Sequence, residues 1–264
     1  MRTVSIWRNE EGLKMLKILT IGNSFGTDCN HYLHGILASA GIESKTVNLY
    51  LGGCFLEKHW ANMEQNARAY QYQFNGHATE RMVSIEEVLQ EETFDVVVVH
   101  QASGDSGWAM TYEPFLSLML DWLKERTAAR IVMNETWAYE TGSPHPHFMR
   151  YNRSQQEMFE KLKAAYHDAA IRHQLPLIQT GEVVQKLRAL PYFDGTSRLI
   201  TRDGFHLSFL YGRYAAALSW ARKLAGIDVI SNAFVPVVDF MPCEEADPEI
   251  LECMKKIVAE TVSL

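Results

Sequence analysis

Ser24 directly follows the first apolar run of the chain, and Asp203 and His206 lie far downstream in the segment Asp203-Gly204-Phe205-His206. A serine hydroxyl becomes a good nucleophile when a base accepts its proton and a carboxylate orients that base. Because Asp203 and His206 are three residues apart, one loop could supply both groups. These three residues predict a catalytic triad; a turn or helix-capping serine is the alternative.

Two further segments could serve the same site. Gly52-Gly53 follows the second apolar run, and Gln101 follows the third. Ligands of an open α/β sheet bind at the carboxyl ends of the strands, near the point where the strand order reverses. With the order 2-1-3 these loops converge on Ser24, where a backbone N–H and the Gln101 amide could hold an oxyanion. A plain turn and a strand cap are the alternatives.

The apolar runs alternate with helical patterns, which is typical of a parallel sheet covered by helices. Strands are predicted at 16–21, 46–51, 95–100, 130–134 and 175–179. Helices are predicted at about 30–40, 113–127, 147–173, 207–225 and 248–262, with a short one after the capping box of Ser84 and Glu87. Residues 70–74 and 78–83, joined by Asn75-Gly76, indicate a β-hairpin that we expect outside the main sheet. Residues 233–247 are expected to be mostly loop.

The composition of the chain excludes some classes of function. The chain has 264 residues, a net charge of -7, 47% hydrophobic and 22% charged residues, which is ordinary for one α/β domain. The negative charge argues against nucleic-acid binding, and no apolar stretch is long enough to span a membrane. Residues 1–14 resemble no signal peptide. We therefore predict an N-terminal extension over 1–14, a single domain over 15–264 and a cytoplasmic location.

Neither a metal nor a cofactor is expected. The four cysteines show no zinc-like spacing and are interpreted as reduced thiols, with Cys54 a structural residue rather than a nucleophile. His145-Pro146-His147 is interpreted as a rigid loop, because no acidic or thiol ligand is near it in sequence. Trp108, Trp137 and Tyr139 could stack on a sugar ring or pack at the rim of the site.

The motifs together resemble the SGNH (GDSL-like) hydrolases. Gly22-Asn23-Ser24-Phe25 resembles the first block of that family, with Asn23 where many members have Asp. Gly53 resembles the glycine of the second block, with Gly52 the near alternative, and Asp203-Gly204-Phe205-His206-Leu207 is similar to the D-x-x-H block. The third block departs: where the family has G-x-N-D, this chain has His100-Gln101-Ala102-Ser103. The similarity extends from Leu16 to about Ala225.

This resemblance implies a three-layer α/β/α sandwich with a central parallel five-stranded, flavodoxin-like sheet. It also implies a metal-free esterase mechanism in which His206 is the base and Asp203 orients it. The Ser24 and Gly53 backbone N–H groups, with Gln101 in place of the family's Asn, would form the oxyanion hole.

Gly22-Asn23-Ser24-Phe25-Gly26 also fits the G-x-S-x-G elbow of α/β-hydrolases. We reject that assignment because only about twenty residues precede the serine, which is room for a single strand at ~3.3 Å per residue.

The sequence predicts a serine esterase acting on short acyl groups, such as acetyl, carried by a carbohydrate or another small hydroxylated molecule. A lysophospholipase or thioesterase is the alternative among enzymes, and a catalytically silent carbohydrate-binding domain is the alternative outside them. The partner is thus a small-molecule ester, with no nucleic acid and no membrane, and the oligomeric state stays open.

Overall fold

In the computed structural model, the described residues are 8–9, 12–13, 15–193, 195, 198–238, 243 and 245–264. These described residues contain nine strands, which are β1 (Arg8–Asn9), β2 (Gly12–Leu13), β3 (Leu16–Gly22), β4 (Ser44–Tyr50), β5 (Tyr70–Phe74), β6 (His77–Val83), β7 (Val96–Val99), β8 (Arg130–Asn134) and β9 (Leu177–Ile178). β1 and β2 form a small antiparallel pair, and the other seven strands form one sheet. The boundaries predicted for the extension over 1–14 and the domain over 15–264 stay a prediction, and most of residues 1–14 lie outside the described residues.

The central sheet has the strand order β6-β5-β4-β3-β7-β8-β9. Five of these strands are mutually parallel, as predicted: β4, β3, β7, β8 and β9. β3 lies between β4 and β7, so that Ile18 pairs with Thr46 on one side and Val96 on the other. The first three parallel strands therefore have the order 2-1-3, which was the condition for their loops to converge, and their carboxyl ends lie side by side.

The predicted hairpin exists but lies elsewhere than expected. β5 pairs antiparallel with β4 and β6 pairs antiparallel with β5, so the hairpin extends the main sheet to seven strands. Asn75 and Gly76 both have positive φ angles, 46° and 83°, as a type I′ turn requires. The expectation that the hairpin lies outside the sheet was wrong, because the free edge of β4 offers unpaired backbone groups that β5 satisfies.

The helices are α1 (Ser24–Asn30), α2 (Leu33–Ser39), α3 (Leu56–Glu64), α4 (Ile85–Glu91), α5 (Phe115–Lys124), α6 (Gln155–His173), α7 (Thr180–Arg188), α8 (Tyr211–Ala225) and α9 (Pro248–Thr261), with short 3-10 turns at Ala109–Thr111, Pro146–Tyr151 and Pro191–Phe193. Right-handed crossovers place the β3–β4 connection on one face of the sheet and the later crossovers on the other. Consistent with this, α8 contacts α1, α2, α7 and α9, whereas α3 contacts α5. The predicted α/β/α sandwich is confirmed.

Sequence patterns located most helices but not all of their ends. The helix predicted over 30–40 corresponds to α2, whereas α1, which begins at Ser24 itself, was not predicted. The helix predicted over 147–173 begins as a 3-10 turn, because Asn152 and Arg153 both adopt positive φ angles. The capping box of Ser84 and Glu87 is present. α3 and α7 were not predicted.

A single hydrophobic core runs through these layers. β7 is buried on both faces, as its Val96–Val99 sequence predicted. Among the described residues, no helix combines the length and the apolar character needed to cross a bilayer.

Candidate active site

Ser24 lies at the turn between β3 and α1. It is the first residue of α1, preceded by the capping residue Asn23, whose side chain accepts a hydrogen bond from the Phe25 amide at 3.0 Å. Asn23 also donates to the Cys54 carbonyl at 3.2 Å, which ties this turn to the loop after β4. The Ser24 N–H belongs to the first turn of the helix, where amides have no acceptor within the helix. It is therefore free to point at a ligand.

Gly22 allows this turn to form. A Cβ atom there would come within 2.8 Å of His100 Nε2 and 2.9 Å of Asn48 Oδ1, distances that side chains do not reach. The missing side chain lets β3 end against the polar groups beneath it and turn sharply into α1. The backbone thus presents Ser24 at the carboxyl edge of the sheet.

The structure brings the three predicted triad residues together. His206 Nε2 lies 2.8 Å from Ser24 Oγ, and His206 Nδ1 lies 2.6 Å from Asp203 Oδ2. In this arrangement Nδ1–H donates to the carboxylate, and the unprotonated Nε2 can accept the serine proton. Residues 182 positions apart in sequence therefore form one hydrogen-bonded chain.

Asp203 is held as a carboxylate. Burial alone would raise its pKa, but hydrogen bonds from the His206 ring and from the His206 and Phe205 amides outweigh burial and lower the pKa. A carboxyl with a lowered pKa is ionised at neutral pH, so Asp203 can orient the imidazole and stabilise its protonated form.

Asp28 of α1 anchors the loop that carries Asp203 and His206. Its carboxylate is fully buried and accepts a hydrogen bond from the Leu207 amide at 2.9 Å. It also forms ion pairs with Arg202 at 3.0 Å and Arg213 at 2.8 Å. The anchored residues, Arg202 and Leu207, flank the Asp203–His206 segment on both sides. The helix that carries Ser24 therefore fixes the position of His206.

We expect Asp28→Asn to lower the free energy of unfolding by about 3 kcal/mol, since it removes one partner of a buried ion cluster. In the folded variant His206 should also lose its alignment with Ser24 while the pocket keeps its walls, which would lower kcat at nearly unchanged KM for any ester hydrolysed at this pair. Urea unfolding and steady-state kinetics on an ester measure the two effects. Asp95→Asn is the matched control, because Asp95 accepts the Lys17 amide at 2.9 Å at the opposite end of the sheet. Equal kcat for both variants would contradict the positioning role.

A cavity of about 290 Å³ opens at Ser24 and His206. Gly52 and Gly53 border it, and Gly53 has a φ of +61°, a conformation that favours glycine. The two glycines, predicted as alternatives, thus both lie at the cavity. The remaining lining residues are Asn23, Phe25, Tyr50, Ser103, His145 and Phe205.

The prediction that Gln101 supplies the third oxyanion donor is corrected by its contacts. The Gln101 side chain is buried, and its amide nitrogen donates to the carbonyl and the hydroxyl of Thr111 at 3.2 and 3.1 Å. Its amide oxygen accepts from the Leu56 and Ala102 backbone amides at 3.1 and 2.8 Å. Gln101 does not line the cavity. It instead holds the loop after β7 against α3.

Ser103, two residues later, is the polar side chain of this loop that faces the cavity. Its hydroxyl lies 2.8 Å from the hydroxyl of Tyr139, which is fully buried. Sequence reasoning missed Ser103 because the amide of Gln101 resembled the family's Asn more closely.

The aromatic residues proposed for sugar stacking are largely internal. Trp137 and Tyr139 are fully buried, so of the two alternatives the structure favours packing over sugar stacking for these residues. Trp137 instead stacks on Phe25 at 4.1 Å between ring centroids and donates to the Phe205 carbonyl at 2.7 Å. The aromatic wall of the cavity is formed by Tyr50, His145 and Phe205. The loop of His145 and His147 thus belongs to the site, which its sequence did not indicate.

Cys54 is a structural thiol, as expected. Its burial raises its pKa to about 12, so the nucleophilic thiolate is not formed at neutral pH. All four cysteines are free.

Residues 17–245 match the model of a family described as a domain of unknown function, DUF4886. The chain belongs to this family. It is also similar to the crystal structure of a DUF4886 family protein from Bacteroides uniformis ATCC 8492, with 31% identity, a TM-score of 0.85, and coverage of 94% of this chain and 95% of that one. No curated protein matches the chain.

More distant structural neighbours of this DUF4886 protein are hydrolases. A lipase/acylhydrolase from Enterococcus faecalis shares 16% identity over 80% of this chain and 96% of that one, with a TM-score of 0.53. An acetylxylan esterase from Geobacillus stearothermophilus shares 16% identity over 79% and 94%, with a TM-score of 0.52. At these identities the comparison shows that the fold is shared.

Proposed function

We propose that this DUF4886 protein is a serine hydrolase that cleaves short-acyl carboxylic esters. The observation that carries the proposal is the hydrogen-bonded chain from Asp203 through His206 to Ser24 at the mouth of the cavity. The fold shared with esterases and lipases supports the same reaction class.

In the proposed mechanism Ser24 Oγ attacks the ester carbonyl while His206 Nε2 accepts the hydroxyl proton. The tetrahedral intermediate collapses, and His206 gives the proton to the departing alcohol. Water then attacks the acyl-serine with His206 acting again as the base, which releases the carboxylic acid and restores Ser24. Asp203 keeps the imidazole in the required tautomer throughout.

The oxyanion would be held by the backbone N–H groups of Ser24 and Gly53 and by the Ser103 hydroxyl. The buried Tyr139 hydroxyl can donate to Ser103 Oγ, which leaves the serine proton free to point into the cavity. Donors fixed in advance of the reaction stabilise the charge that develops in the transition state.

Ser103→Ala should lower kcat about 10²–10³-fold with little change in KM, as expected for one oxyanion donor. Tyr139→Phe should have a smaller effect in the same direction, because Ser103 keeps its hydroxyl but loses the partner that orients it. The matched control is Ser106→Ala, since Ser106 Oγ donates to the Ser103 carbonyl at 2.8 Å in the same turn and does not line the cavity. Steady-state kinetics in which Ser103→Ala and Ser106→Ala behave alike would exclude this role.

The cavity favours small acyl groups. Its volume of about 290 Å³ is at the lower limit of ordinary ligand pockets. Tyr50, His145 and Phe205 are among the residues that line it. A lysophospholipase or thioesterase acting on long acyl chains needs more apolar surface than this. We therefore propose an acetylated carbohydrate or another small acetylated alcohol as the substrate.

Hydrolysis rates should fall from acetyl to decanoyl p-nitrophenyl esters, because longer chains do not fit the cavity. A spectrophotometric series of these esters, with acetylated sugars assayed in parallel by acetate release, tests this preference. Rates that rise steadily with chain length would refute it. Labelling by a fluorophosphonate separates an active serine hydrolase from a catalytically silent binding domain.

A further inference from the structure

A group of polar side chains lies outside the proposed active site, where three separate elements meet. Glu135 directly follows β8, His167 lies on α6, and Glu182 lies in the first turn of α7. Their ligand atoms all lie within 4.8 Å of one another. The residues are far apart in sequence, so no motif indicated this group.

Two atoms of the group are buried without a hydrogen-bond partner, namely Glu135 Oε2 and His167 Nε2. Glu135 itself is fully buried, and its other oxygen accepts the Glu182 amide at 2.8 Å. A buried carboxylate oxygen without a hydrogen bond is costly unless a cation compensates it. The two atoms face each other 3.5 Å apart, so that either a proton on His167 or a cation between them would compensate the buried carboxylate.

The spacing of these atoms fits a metal ion better than direct hydrogen bonds. His167 Nε2 lies 3.5 Å from Glu135 Oε2 and 3.3 Å from Glu182 Oε1. Zinc bonds to histidine nitrogen and carboxylate oxygen are about 2.1 Å long, so neighbouring ligands of a tetrahedral zinc ion are about 3.4 Å apart. The two separations from His167 Nε2 match this distance between ligands.

Charge and access also suit a divalent cation. Glu135 and Glu182 bring two negative charges to one M²⁺ ion, and Lys163 Nζ pairs with the second oxygen of Glu182 at 2.6 Å, which leaves Oε1 for the ion and one net positive charge on the cluster. The His167 side chain is 39% exposed and borders a surface cavity.

We propose that Glu135, His167 and Glu182 bind one divalent transition-metal ion of the zinc type. Imidazole with two carboxylates is a donor set that zinc accepts. The ion joins the end of β8 to α6 and α7 and has no part in the ester chemistry proposed above. Its binding can therefore fail or succeed independently of that function.

The test measures zinc and cobalt binding to the full chain after treatment with a chelator. Calorimetry should find one equivalent of Zn²⁺ that depends on His167, and Co²⁺ should give the visible absorption bands of a four-coordinate site. Bound zinc should also raise Tm, since it binds only the folded protein. Esterase activity is not needed for any of these readouts.

His167→Ala should remove this equivalent or weaken its binding at least tenfold, a loss of about the size seen when even outer partners of a metal are changed. Glu135→Gln should do the same while keeping an oxygen to accept the Glu182 amide, so that its fold is preserved. His173→Ala is the matched control, because His173 lies on the same helix and contacts the single carboxylate of Glu113 at 2.5 Å. If the unmodified chain and His167→Ala bind zinc equally, the proposal is overturned, and a protonated His167 between the two carboxylates accounts for the group.

Discussion

Ser24→Ala should lower kcat for p-nitrophenyl acetate by about 10⁶-fold, the loss measured when the nucleophile of a serine triad is removed. The reason is that Ser24 Oγ is the atom that would form the acyl-enzyme, and His206 Nε2 at 2.8 Å would have no proton to accept. Labelling by a fluorophosphonate should also disappear. Because the change removes one oxygen atom at the surface of the cavity, the thermal unfolding of the variant should stay close to that of the parent.

Ser154→Ala is a suitable control for this experiment. Ser154 caps α6 by accepting the Glu157 amide at 3.2 Å and does not line the cavity. Its loss should cost about 1 kcal/mol of stability and leave turnover unchanged. If Ser24→Ala hydrolyses the ester as fast as Ser154→Ala does, Ser24 is not the nucleophile.

Asp203→Asn should lower kcat about 10⁴-fold, because an amide in place of the carboxylate favours the wrong imidazole tautomer. The asparagine oxygen can still accept the His206 and Phe205 amides, which contact the carboxylate at 2.7 and 3.1 Å, so the loop should keep its shape. The predicted effect thus isolates the electronic role of the carboxylate from its structural one. Single-turnover kinetics should show the loss in the acylation step.

The control for this variant is Asp228→Asn, an exposed aspartate whose side chain accepts the Ile230 amide at 3.0 Å in a comparable turn. It should retain full turnover. An Asp203→Asn enzyme with nearly normal kcat would mean that another group orients His206.

Local patterns predicted the main strands of the sheet and the three residues of the proposed triad. The apolar runs of β3, β4, β7 and β8 predicted strands, because a strand buried on both faces must be apolar throughout. The type I′ turn at Asn75-Gly76 and the capping box at Ser84 were also predictable, since each depends on backbone contacts only a few residues apart. Ser24, Asp203 and His206 were found because their residue types and the 203–206 spacing suit one reaction.

The structure decided what depends on contacts between distant segments. The hairpin joined the sheet because β4 had a free edge, which no local pattern reveals. Gln101 does not face the cavity, because Thr111 and Leu56, which become its neighbours only after folding, satisfy its side-chain amide. The same holds for Asp28, whose partners lie more than 170 positions away. The sequence determines the chemical groups of each side chain. The distant segments that pack against a side chain determine its hydrogen-bond partners, and therefore the role it can take.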